Sequence, residues 1–130
     1  MKVLALDYGS ARTGVAVSDP TGTVARPVGV VERAATEAGL AQLAELVRAE
    51  SPDRIVVGLP LTLRGERGEQ ALETERFVHA LRGAVDVPVE SFDERFTTTL
   101  AGQTPSSSSE DARAAAHLLT SYLTWRSSRS

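Results

Sequence analysis

The chain has 130 residues, 42% of them hydrophobic, a formal net charge of −3 and no cysteine. That length suits one globular, soluble domain with a real core rather than two, and the lack of thiols excludes disulfides and thiolate metal sites. The acidic balance argues against nucleic-acid binding driven by bulk charge, but not against a local basic rim around an acidic site, and no apolar run approaches the roughly 20 residues of a membrane span.

His79 and His117 are the only histidines, so a His-rich zinc site is not expected. The first residues enter a strand pattern without the charged and apolar leader of a secreted protein, which predicts a cytoplasmic location. Val3 to Leu6 is an unbroken apolar run, as in a strand buried on both faces. It ends in Asp7, and a carboxylate there costs free energy unless it is hydrogen-bonded, paired or bound to a cation. Gly9 and Ser10 supply a turn, and Val15 to Val17 read as a second strand returning beside the first. Asp19-Pro20-Thr21-Gly22 is a turn signal, with Asp19 as its first residue. Thr23 to Val31 reads as a third strand, placed near a sheet edge by Pro27.

Thr36 is a candidate N-cap for a helix to about Glu50, with Leu40, Leu43, Ala44 and Val47 as its apolar stripe. Ser51-Pro52-Asp53 ends it. Arg54 to Pro60 is a fourth strand, and Leu61 to Arg67 a glycine-containing loop. A second helix spans about Glu69 to Arg82 with Leu72, Phe77, Val78 and Leu81 inward. Val87 to Phe92 is a fifth strand, followed by Asp93-Glu94-Arg95. Thr97 to Ala101 predicts a short helix and Gln103 to Ser109 a polar loop. The last helix covers about Glu110 to Trp125, with Tyr122 and Trp125 as packing residues. Residues 1–125 thus form a single domain and 126–130 a frayed tail. The element order predicts an α/β fold: a five-stranded mixed sheet, its first three strands antiparallel, with helices on both faces.

In such sheets, sites form beyond the carboxyl ends of the parallel strands. Asp7, the Gly58-to-Arg67 loop and Asp93-Glu94-Arg95 lie at that edge. Ala114, Ala115, Leu118, Leu119 and Tyr122 follow Asp111 at helical spacing, so Asp111 belongs to the core-facing stripe in the first turn. Asp7, one of Asp93 and Glu94, and Asp111 therefore make a candidate cluster. Three close carboxylates repel unless a cation sits among them. Hard oxygen ligands favour Mg²⁺ or Mn²⁺, and two such ions ~3.5–4 Å apart are the device of phosphodiester cleavage. The plainer alternative is that Asp7 shapes a turn, Asp93-Glu94 pairs with Arg95, and Asp111 caps a helix. Arg12, Arg64, Arg67 and Arg95 fall in loops at or near the same edge and are candidate phosphate-binding residues.

These residues resemble a known family. Leu6-Asp7-Tyr8-Gly9, Arg12 to Asp19, Val57-Gly58-Leu59-Pro60, Asp93 to Thr98, and Asp111 with Ala114-Ala115 match, in order, the YqgF/RuvX family of bacteria. The resemblance implies a ribonuclease-H-like fold and a nuclease that processes the 5′ end of the small-subunit (16S) ribosomal RNA precursor. Carried over by motif, the metal-binding and catalytic acids are Asp7, Glu94 and Asp111. Related resolvases carry an acid on the fourth strand, where this chain has Gly58-Leu59-Pro60. Family members tend to be basic before the last acid, where this chain has Ser106 to Ser109. The expected partner is structured RNA. The chain is expected to be a monomer or a homodimer. The alternatives are a Holliday-junction resolvase acting on branched DNA, expected to act as a dimer so that two sites cut symmetrically, and a non-catalytic nucleic-acid or nucleotide-binding module. The last is suggested because the Asp7-x-Gly9 hairpin also resembles the phosphate-binding hairpin of actin-like ATPases.

Overall fold

Val3, Leu4, Ala5 and Leu6 are each 0% exposed, which requires a central strand covered on both faces. The computed structural model describes residues 1–60, 68–93 and 108–128 and places this strand in the middle of the sheet. The strands are β1 (Val3–Asp7), β2 (Arg12–Ser18), β3 (Ala25–Glu32), β4 (Arg54–Leu59) and β5 (Val89–Asp93), and the helices are α1 (Glu37–Glu50), α2 (Glu69–Ala84) and α3 (Ser108–Ser128). The spatial order is β3-β2-β1-β4-β5. β1 pairs antiparallel with β2 and β2 with β3, whereas β1–β4 and β4–β5 are parallel. This is the mixed sheet the element order predicts. β3 lies at an edge, as Pro27 requires, and its ladder with β2 shifts register between Val15 and Ala16.

Strand alternation divides the core in two. Leu4, Leu6, Val15, Val17, Ile55 and Val57 pack with Leu43, Val47, Phe77, Val78 and Leu81 of α1 and α2. Val3, Ala5, Ala16, Val56 and Phe92 pack with Ala115, Leu118, Leu119 and Tyr122 of α3 on the other face. The α3 layer is also pinned by polar groups. Arg54 Nη1 donates to Glu90 Oε1 at 2.6 Å, and the Tyr122 hydroxyl donates to the same carboxylate. Burial, then the Glu90 hydrogen bond, pushes the Tyr122 hydroxyl's pKa up.

The first helix starts where the sequence predicts. The Gly39 amide donates to Thr36 Oγ1 at 3.1 Å, and the Thr36 hydroxyl donates to the Arg33 carbonyl at 2.7 Å. It stops at Ser51, whose φ of 50° is left-handed and whose amide donates to the Val47 carbonyl at 2.8 Å. Asp19 does organise the β2–β3 turn. It accepts from the Thr21 hydroxyl and from the Thr23 and Val24 amides, which hold its carboxyl well below the usual range.

Three expectations are corrected. Leu72 points outward and is 44% exposed, while Ala71 and Thr74 are buried. Six residues before Val78, at about 100° per residue, Leu72 falls about 240° round the helix from the buried stripe. On α3, Ala112 rather than Ala114 joins the buried stripe. That helix also runs from Ser108 to Ser128, beyond both ends of its predicted span. The predicted 61–67 loop, the short 97–101 helix and most of the serine loop lie outside the described residues.

Candidate active site

The site begins with β1. Val3 and Ala5 face α3, so the period-two alternation assigns Asp7 to the same face at the strand's carboxyl end. Asp7 stands directly opposite Gly14 of β2. A Cβ built on Gly14 would lie 1.9 Å from the Asp111 carbonyl oxygen and 3.2 Å from the Ala112 nitrogen. The first turns of α3 therefore rest on the bare backbone of Gly14, across the ladder from Asp7. Absence of a side chain is what allows that approach. Asp7 and Asp111 thus reach one end of one sheet face from distant parts of the chain.

Arg12 opens β2 beside them. Its Nε lies 3.0 Å from Asp111 Oδ2, with side-chain exposures of 38% for Arg12 and 17% for Asp111. That oxygen is buried and, by geometry, accepts no aligned hydrogen bond. The hairpin tip leading to Arg12 is tight. Thr13 is fully buried, its hydroxyl lies 3.4 Å from both the Gly9 amide and the Gly9 carbonyl oxygen, and a Cβ on Gly9 would lie 2.5 Å from the Arg12 carbonyl oxygen.

β5 brings Asp93 level with Leu59. Asp93 has the parity of Val89, which packs on the α1/α2 side, while Phe92 packs on the α3 side with Asp7's strand-mates. Alternation therefore separates Asp93 from the face of Asp7. Glu94, Arg64, Arg67 and Arg95 lie outside the described residues. Among the described residues no three His, Asp or Glu side chains form a group able to hold a metal ion; two of the three predicted acids, Asp7 and Asp111, are described. These two fit a hard divalent cation in chemistry. Both are carboxylates, and a buried oxygen of Asp111 lacks an aligned donor.

A cleft of about 250 Å³ opens on the α2 side of the same strand end. Asp7 to Ser10 and Pro60 line it, facing Gln70, Glu73 and Thr74 of α2. Tyr8 stacks on Phe77 with ring centroids 4.5 Å apart. Burial first, then a hydrogen bond to Glu73, pushes the Tyr8 hydroxyl up to about 12. Sequence reasoning gave Tyr8, Gln70, Glu73 and Thr74 no site role. The signal was there in part: Tyr8 alternates with Asp7 toward the α1/α2 face, and Glu73 lies one helical turn before Phe77.

The family model described as "RuvX: Holliday junction resolvase" matches residues 1–125. A Chloroflexus aurantiacus protein named "Putative pre-16S rRNA nuclease" is 46% identical over 101 residues, which cover 78% of this chain and 66% of that protein, just under two thirds of its length. A Moorella thermoacetica protein of the same name is 42% identical over 103 residues, covering 79% of this chain and 74% of the relative. Among solved structures, Thermus thermophilus RuvC in complex with a Holliday junction substrate superposes with a TM-score of 0.63 at 21% identity, over 97% of this chain and 95% of that one. At that identity the likeness establishes the fold alone, which is ribonuclease-H-like.

Proposed function

The chain belongs to the RuvX family, and from that premise we propose that it is a cytoplasmic, divalent-ion-dependent nuclease that hydrolyses phosphodiester bonds near the 5′ end of the 16S ribosomal RNA precursor. The observation that carries this reading is the seating of Asp111 on Gly14 opposite Asp7, which gathers two acids at the end of the central strand. Glu94 is the third acid proposed. It follows Phe92 by two positions in a sequence whose alternation puts Phe92 toward α3.

Asp7, Glu94 and Asp111 would hold Mg²⁺ or Mn²⁺. Bound there, the ion supplies Lewis-acid stabilisation of phosphate oxygens and a nucleophilic water at neutral pH. Asp7 contributes a carboxylate fixed by a buried strand, and Asp111 one fixed by the helix packed on Gly14. Arg12, with Arg64, Arg67 and Arg95 from the same edge in sequence, would bind the flanking phosphates.

The family's description as a Holliday junction resolvase favours a second reading, resolution of a four-way DNA junction. That chemistry needs two symmetric cuts and hence a homodimer. Cleavage of a pre-16S RNA fragment and of a four-way DNA junction, measured side by side in Mn²⁺, separates the two. Asp7→Asn and Asp111→Asn are each expected to lower cleavage of the true substrate by at least about 10³-fold, an effect of several kcal/mol on the barrier. Undiminished cleavage in either variant refutes the assignment.

A further inference from the structure

We propose that Arg12 is the resident counter-ion of Asp111, holding that carboxylate in the ion-free protein and yielding it to a divalent ion in exchange for a substrate phosphate. The proposal rests on the divalent-ion reading above and adds a competition to it. Three observations carry it. The contact is short, 3.0 Å from Arg12 Nε to Asp111 Oδ2, so the guanidinium stands where a cation attracted by that oxygen would stand. The same oxygen is buried and receives no aligned hydrogen bond, so the pair is held by charge rather than by the forked geometry of a permanent arginine–carboxylate bridge. The two partners also differ in exposure. Asp111 is the more buried and sits on a helix locked against Gly14, whereas Arg12 is more than a third exposed beside the hairpin tip. Asp111 is thus the more deeply anchored partner and Arg12 the more solvent-accessible one.

The exchange is between two cations for one carboxylate. Release of Asp111 turns the guanidinium from an internal neutraliser into a hydrogen-bond donor to a substrate phosphate at the same rim. The ion and the nucleic acid then favour one another, because each stabilises the arrangement the other needs.

Calorimetric titration with Mn²⁺ at low salt tests the competition in the wild-type protein, Arg12→Gln and Asp111→Asn. Arg12→Gln is expected to bind Mn²⁺ at least about five-fold more tightly than wild type, the low end of ordinary coupling between sites, and Asp111→Asn more weakly. A second measurement needs no variant: the Arg12 side-chain Nε–H signal of ¹⁵N-labelled wild-type protein, followed by NMR during a Mg²⁺ titration. It is expected to shift with the same midpoint as the Asp111 amide. Equal or weaker Mn²⁺ binding by Arg12→Gln, with binding still weakened in Asp111→Asn, overturns the counter-ion role and leaves the ion site standing. An Arg12 signal indifferent to Mg²⁺ does the same. Mn²⁺ binding unchanged in Asp111→Asn overturns the ion site itself, and the counter-ion role with it.

Discussion

Gly14 shows how a single missing methyl group places an acid. Its Cα faces the Asp111 backbone so closely that a Cβ would overlap the carbonyl oxygen at 1.9 Å. A backbone atom in a packed helix cannot rotate away, so the strain of Gly14→Ala has to move α3 or distort β2. Overpacking of this kind costs about 1–3 kcal/mol, sometimes more. We expect Gly14→Ala to lose at least about 2 kcal/mol in urea denaturation and to lower the proposed nuclease activity more than Ala substitution at exposed Gly83, where a Cβ meets nothing within 4 Å. The sequence offered Gly14 only as part of a motif. Its spatial reason, the close seating of a helix from the other end of the chain, is absent from any local pattern. Asp7 is the opposite case: an apolar run ending in a carboxylate announced both the buried strand and the exceptional residue at its end.

Elements whose ends are set by neighbouring residues were legible in detail. α1 is the clearest, because Thr36 and Gly39 are close in sequence and a cap needs nothing more. Thr36→Ala is expected to destabilise the protein by about 1 kcal/mol, read from the denaturation midpoint, with little change in activity because α1 lies on the face away from α3. α2 was legible only in its C-terminal half. Phe77, Val78 and Leu81 are inward as predicted, but Leu72 belongs to a different angular position, and an isolated apolar residue cannot reveal that before the helix is docked. β2 runs longer than its apolar stretch because its start pairs with β3, where Arg12 stands opposite Glu32 and Thr13 opposite Val31; the ladder with β1 reaches only Gly14. That extension is what carries Arg12 to Asp111.

For the whole molecule, the sheet separates two layers and the proposed site lies where they meet at one end. α3 packs on one face, α1 and α2 on the other, and β1 passes between them to end in Asp7, next to the cleft closed by Tyr8, Glu73 and α2. An ion held by Asp7 and Asp111 would tie the α3 layer to the central strand and so stabilise the fold as a unit. At one hundred times its dissociation constant, such an ion adds about 2.7 kcal/mol. We expect Mn²⁺ to raise the melting temperature of the wild-type protein, and the rise to vanish in Asp111→Asn, as read by differential scanning calorimetry. No described helix is long and apolar enough to cross a membrane.

From its own letters the chain determined the five strands and their mixed order, the capped first helix and the Asp19 turn, and it offered Asp7 and Asp111 as candidate acids. These follow from period, capping and turn chemistry, all of which act over a few neighbouring residues. Tertiary structure alone decided that Asp111 sits on Gly14, that Arg12 reaches Asp111, that Asp93 has the parity of the opposite face, and that Tyr8 meets α2. Each of those depends on the register and docking of segments far apart in the chain, where a shift of one residue would turn the same side chain to the other side of the sheet.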